Sequence, residues 1–296
     1  MGRKSRKERE AKAQEGGAVP PGKGGQCSTP PLAGEAMPAE TDEKMVLDQL
    51  VAMSCALGNP ARDYVILGEG NTSARVGDDR MWVKASGASL CGISAEGFVR
   101  VRRDKVLEMF EAGDLGDAEI ERGLRAAMDD STSPRRPSVE TLFHAYLLGL
   151  EGINFVGHTH PTAVNAILCS RLGREAIAGR IYPDEIVVCG VAPLFVDYVD
   201  PGVLLARAIR DETERYIAQQ GHPPRSVLMQ NHGLIALGST PAQVEAITAT
   251  WVKTARIIGG TMAFGGPRFL SDGNVERICS RPDEHYRHRG ITGAEQ

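Results

Sequence analysis

No apolar run in this chain approaches the ~20 residues that a membrane-spanning helix requires. The longest, such as Ile186–Val191 and Val203–Leu205, fall far short of it. Nor does an apolar segment follow the basic cluster Arg3, Lys4, Arg6, Lys7, Arg9 and Lys12, so that cluster is not expected to act as a secretory signal. The six cysteines, at 27, 55, 91, 169, 189 and 279, form no Cys-x-x-Cys pair. This argues against a disulfide framework and a cysteine-only zinc site, and makes a reducing cytoplasm the expected compartment. A formal net charge of −4 gives no chain-wide electrostatic footprint for nucleic acid. No solenoid-length repeat is visible. What is present is ordinary for a water-soluble globular protein: 42% hydrophobic and 24% charged residues over 296 positions, enough for one large α/β domain or two modest ones.

Residues 1–39 are rich in Gly, Pro, Ala, Lys and Glu and nearly lack the β-branched and aromatic residues that offset chain entropy. They read as a disordered basic tail, a solubilising arm rather than a binding element. A helix is predicted after Asp42, where Val46, Leu47, Leu50 and Val51 recur at helical spacing and Gly58-Asn59-Pro60 stops it. Strands are predicted at Tyr64–Leu67, Met81–Lys84 and Phe98–Val101, then a helix at Lys105–Phe110. Helices at Ser138–Leu150, Pro161–Ser170, Gly202–Gln220 and Pro241–Ile258 alternate with extended segments at Ile153–His158, Glu185–Cys189, Leu194–Val199, Ser226–Gln230 and Leu234–Leu237. The expectation is one α/β domain over 40–264, helices covering both faces of a sheet, with a loosely packed polar tail over 265–296.

The sharpest local feature is Gly157-His158-Thr159-His160-Pro161. Residues two apart on a strand share a face, so His158 and His160 present two imidazoles to one side. They serve either a divalent metal or a polar strand end meeting solvent. A third histidine, His232, lies in Met229-Gln-Asn-His-Gly-Leu-Ile-Ala236, where an apolar strand breaks and resumes. Three histidines with an open fourth position are a recurrent shell for catalytic zinc. In Pro137-Ser138-Val139-Glu140-Thr141-Leu142-Phe143-His144, Glu140 either complements the positive end of a helix dipole or serves as a general acid/base. The small-residue turns Gly70-Asn71-Thr72-Ser73 and Ala85-Ser86-Gly87-Ala88-Ser89 suit either hairpin turns or an anion cradle. Neither is a P-loop or a dinucleotide fingerprint. His144, His222, His285 and His288 have no setting comparable to that of the three histidines.

Taken in order, Gly-Asn-Thr-Ser at 70–73, Lys84 to Gly87, Pro-Ser-x-Glu at 137–140, His-Thr-His-Pro at 158–161 and Asn-His-Gly at 231–233 resemble the class II aldolase/adducin family, from about Glu43 to Gly260. The Pro-Ser-Val-Glu-Thr-Leu-Phe-His segment is most similar to rhamnulose-phosphate aldolases of the kind fused to a dehydrogenase, with fuculose-phosphate aldolases close behind. No dehydrogenase portion is expected here. The resemblance implies a three-layer α/β/α domain with a mixed, largely antiparallel sheet, assembled as a homotetramer with active sites at subunit interfaces. It implies a divalent metal, zinc first, on His158, His160 and His232, stabilising the enediolate formed when a ketose phosphate breaks a carbon–carbon bond. It assigns Glu140 the acid/base role and Gly70, Asn71, Ser86, Gly87 and Ser138 to the substrate phosphate. Tyr198 is the candidate for the family tyrosine that a neighbouring subunit contributes to protonate the leaving aldehyde's oxygen; packing at an interface is the alternative for it. Val139 departs from the second serine common at that position in small phosphate-binding aldolases. Pentulose-phosphate epimerase, ketose-phosphate dehydratase and decarboxylase chemistry share the scaffold, and adducin-like assembly proteins, expected to lack the metal histidines, are a further class.

Overall fold

The computed structural model describes residues 43–113, 115–284 and 286. The tail expected over 1–39 and the last ten residues of the chain lie outside the described residues. Helix α1 (Glu43–Leu57) precedes strands β1 (Asn71–Val76), β2 (Arg80–Lys84) and β3 (Phe98–Arg102). Helices α2 (Arg103–Glu111), α3 (Asp117–Ala126) and α4 (Thr141–Leu147) lead to β4 (Phe155–Thr159). Then follow α5 (Thr162–Leu168), α6 (Gly173–Ala176), α7 (Pro183–Cys189), β5 (Leu194–Val196) and α8 (Val203–Gln220). The β6–β7 hairpin (Ser226–Met229, Gly233–Gly238), α9 (Pro241–Thr261) and α10 (Asp272–Cys279) complete the order.

The strands form one seven-stranded sheet, ordered β3-β2-β1-β4-β7-β6-β5. Every neighbouring pair is antiparallel except β5 with β6, so the sheet is mixed and largely antiparallel, as expected. Alternation along the strands divides the core into two layers. Val83, Val156, Ile235 and Leu237 face a cluster with Phe110, Leu142, Phe143 and Ile209 from α2, α4 and α8. Ala74, Phe155, Leu234 and Ala236 face Leu50, Val164, Val188 and Trp251 from α1, α5, α7 and α9. This is the three-layer α/β/α arrangement. The long helices carry ordinary punctuation: Thr240 accepts from the Gln243 N–H before α9, with Pro241 at its first position, and Gly221 closes α8 in the left-handed region. Among the described residues no helix is long and apolar enough to cross a membrane.

Four local expectations are corrected. Tyr64–Leu67 is irregular rather than a strand: Leu67 has φ 51°, and Ile66 and Leu67 point outward. Glu185–Cys189 is helical, because Pro183 and the acidic pair Asp184 and Glu185 start a helix whose apolar side packs on α9. Asn71, Thr72 and Ser73 are not a turn but the first half of β1, in register with His158, Gly157 and Val156 of β4. The segment after Gly265 is not loosely packed in its described part, since α10 docks on α7 and buries Ile278 and Cys279 against Ile186.

Candidate active site

Three histidines meet at the end of the sheet where β4 leaves it. His158 is on β4, paired between Asn71 of β1 and Ile235 of β7. His160 follows two residues later, its backbone N–H held 2.9 Å from the Tyr64 carbonyl. His232 comes from the β6–β7 turn, where Asn231 takes φ 53°, its N–H bonds to the Leu168 carbonyl, and the Asn165 side chain donates to the His232 carbonyl at 3.0 Å. The ring centroids lie 4.7 to 5.2 Å apart, and one ligating nitrogen from each ring lies within 4.8 Å of the others. Gly233 makes this approach possible: a Cβ there would stand 2.6 Å from the Thr159 carbonyl oxygen and 2.7 Å from the His160 ring.

The rings are set up as ligands. His158 Nδ1 lies 3.1 Å from the Leu234 carbonyl oxygen, which can only accept. The ring proton is therefore on Nδ1, and the Nε2 lone pair faces the cluster. That Nε2 is 2.9 Å from His160 Nε2, two nitrogens converging on one point. Burial pushes the His158 imidazole down to about 4 and, with repulsion from the other rings, His160 to about 3, so both stay neutral and able to coordinate at neutral pH. Phe143 meets His158 edge-on at 5.7 Å and fixes its plane. Three converging imidazoles, with no further histidine or cysteine in the group among the described residues, fit a divalent ion with an open coordination position.

Glu140 immediately precedes α4, and its side chain makes no capping hydrogen bond. It turns instead to the cluster: Oε1 lies 3.3 Å from His232 Nε2 and 3.6 Å from His158 Nε2, and Oε2 accepts from the Asn71 amide. Burial alone would raise this carboxyl, but the facing His158 and His232 and the Asn71 hydrogen bond outweigh it and hold it below the usual carboxylate range. It is an anion aimed at the point on which the histidines converge.

The other expected residues fall into two groups. Asn71 sits between Glu140 and His144, its amide spent on the carboxylate and its carbonyl on the ring. Gly70, at φ 66°, must be glycine, because a Cβ would lie 2.6 Å from the His158 carbonyl oxygen. Ser86 and Ser138 line one cavity with Arg136, Val139 and Pro201; the two segments are joined by the Ser86 N–H to Arg136 carbonyl bond, 2.8 Å. The Ser138 hydroxyl is buried there without a protein hydrogen-bond partner, and Gly87 turns at φ 79° with open space where a Cβ would be. Tyr198 is separate: it is exposed, and its hydroxyl donates to Asp200 at 2.8 Å.

Two residues that sequence reasoning left without a role belong to this neighbourhood. Lys84, 3% exposed, donates from Nζ to the carbonyls of Gly68 and Ala88 and so ties the two glycine turns together. His144 is completely buried between Asn71 and Ser73, whose hydroxyl is 2.7 Å from Nδ1. The four-residue spacing of Glu140 and His144 at a helix start and the two-residue spacing of Asn71 and Ser73 on a strand put each pair on one side of its element, but nothing local links the two pairs.

Burial pushes His144 from its ordinary 6.5 down to about 4. Between those values the unfolded chain binds the extra proton, so stability falls as pH falls. The expected result is a steady loss in calorimetric melting temperature of metal-stripped protein from about pH 7 to about pH 4.5. At 1.36 kcal/mol per unit, this ring accounts for roughly 3 kcal/mol.

Comparison with known proteins bears on the family and the fold. Residues 49–258 match the family model described as Class II Aldolase and Adducin N-terminal domain. The chain is 31% identical over 236 residues to the uncharacterized oxidoreductase YuxG of Bacillus subtilis (strain 168), an alignment covering 75% of this chain and 32% of that protein. The chain thus spans about a third of the length of that curated relative. Among solved structures, the N-terminal class II aldolase domain of a conserved protein from Thermoplasma acidophilum superposes with a TM-score of 0.59 at 24% identity, covering 76% of this chain and 99% of that one. An L-fuculose 1-phosphate aldolase superposes with a TM-score of 0.59 at 19% identity, covering 83% of this chain and 98% of that one. With the family model matched across the whole sheet and all three histidines inside the match, the chain belongs to the class II aldolase/adducin family.

Proposed function

We propose that the protein is a metal-dependent aldolase, a carbon–carbon lyase that cleaves a ketose phosphate or related sugar phosphate into two carbonyl fragments. The observation that carries this reading is the convergence of three imidazoles and the Glu140 carboxylate on one point. His158, His160 and His232 would hold the ion, and zinc suits an all-imidazole set. When bound, such an ion supplies Lewis acidity where negative charge develops on the substrate. Glu140 takes and returns the proton at the nucleophilic carbon. The orphan Ser138 hydroxyl, with Ser86 and the backbones of Gly70 and Gly87, receives the phosphate. Asn71 holds Glu140 in place. Tyr198 acts from a neighbouring subunit of a homotetramer, where its exposed ring is available to a second copy, and protonates the leaving aldehyde's oxygen.

The test is elemental analysis before and after chelation, paired with an assay for dihydroxyacetone phosphate release from a panel of ketose 1-phosphates. The expected result is near-stoichiometric divalent metal and release that chelation stops. Metal without release from any member of the panel overturns the lyase assignment in favour of epimerase, dehydratase or decarboxylase chemistry. Absence of metal overturns the metalloenzyme reading altogether.

A further inference from the structure

The hydrogen bonds behind Glu140 can be oriented atom by atom. An ionised carboxylate only accepts, so the Asn71 atom facing Glu140 Oε2 is Nδ2. The Asn71 carbonyl oxygen is then the atom that meets His144 Nε2, and since it too only accepts, Nε2 carries the ring proton. His144 is fully buried and stacked on Phe143 at 4.8 Å, a place for a neutral ring. Its Nδ1 is then an acceptor, and the Ser73 hydroxyl donates to it at 2.7 Å. The result is a one-way series from Ser73 through His144 and Asn71 to Glu140, with every polar atom of the ring satisfied. A buried polar network that is complete rigidifies its members, whereas a partly satisfied one is costly.

We propose that His144 is a positioning residue: by donating from Nε2 to Asn71 it locks that amide with its N–H toward Glu140, and so holds Glu140 Oε1 at the histidine cluster. Without the donor, Asn71 is free to turn its carbonyl toward the carboxylate, which repels it and releases Glu140 from the convergence point. Ser73 secures the series at its far end by fixing the tautomer. His144 touches neither the ion site nor substrate and acts only through Asn71. The inference deepens the aldolase reading and rests on it for its effect on turnover.

The test compares His144→Phe, which keeps the ring stack but has no donor, with His144→Gln, whose amide nitrogen replaces Nε2. Three quantities are measured: deuterium exchange into dihydroxyacetone phosphate, bound divalent metal, and the crystal structure of each variant. In H144F, kcat for exchange is expected to fall roughly 10–100-fold, the range for partners that orient a metal site's first-layer groups. KM stays within about threefold, as for a group acting on the chemical step rather than on uniform binding. Metal content is unchanged, and Glu140 Oε1 swings away from His232. H144Q returns the carboxylate and most of kcat. Full kcat in H144F, equal losses in both variants, or an unmoved Glu140 in H144F each overturns the proposal. If the wild-type protein exchanges no deuterium, the aldolase reading fails by itself, and the position of Glu140 in the variant crystals still decides the positioning role. Should H144F not fold, Ser73→Ala carries the test: one lost hydrogen bond predicts a loss of about three- to tenfold in kcat, and wild-type kcat overturns the proposal.

Discussion

Alanine at His158, His160 or His232 is expected to empty the metal site and cut turnover by roughly 10³-fold, the upper range for removing one preorganised electrostatic group from an active site. The geometry makes the three losses nearly equal. Each ring supplies one nitrogen to a set within 4.8 Å, and among the described residues no fourth histidine joins the set, His144 being turned toward Asn71 and Ser73. The losses should differ in stability instead. His158 is fully buried against Phe143, so truncation leaves a cavity in the core, whereas His160 and His232 are partly exposed. Metal analysis and a thermal melt of each variant check both statements. Near-normal activity in any of the three would remove that residue from the metal shell.

Glu140→Gln separates holding the ion from moving the proton. The amide keeps the size of the side chain and can still accept from Asn71, so the histidine cluster should remain intact. What disappears is the anion at 3.3 Å from His232 and 3.6 Å from His158. Proton exchange at the nucleophilic carbon is expected to fall by about 10²–10⁴-fold, the usual contribution of a positioned general base. Metal content should match the unmodified protein. Exchange at the original rate would return Glu140 to the role of a charge at a helix start, a role its missing capping bond already argues against.

Much of this site was legible because it obeys short periods. The two-residue spacing of His158, on β4, and His160, one residue past its end, brings both rings to one side, and the break before Gly233 marked His232 as projecting from a bend. The order of strands and helices was readable for the same reason. Misreadings arose where burial overrides local preference. Ile186, Val187 and Val188 favour a strand by type, yet the helix start at Pro183 and packing from α9 and α10 make them helical. Gly70-Asn71-Thr72-Ser73 has the composition of a turn, but pairing with β4 extends it. His144 was passed over because its partners lie more than 70 positions away, and a hydrogen-bond series across a helix and a strand leaves no trace in local pattern.

The groups that meet at the histidine cluster come from positions 71, 140, 158, 160 and 232, so the site exists only once β1, β4, the β6–β7 turn and the start of α4 have all come together. A divalent ion bound there is a ligand of the completed fold alone. An ion at a thousand times its dissociation constant then deepens the native well by about 4 kcal/mol. Chelation withdraws that contribution from every element at once, because the clasp joins the middle of the chain to its last hairpin. The ion would thus serve as a late seal on folding as well as a participant in chemistry, and a chain cut between His160 and His232 would lose its hold on metal as soon as the pieces part.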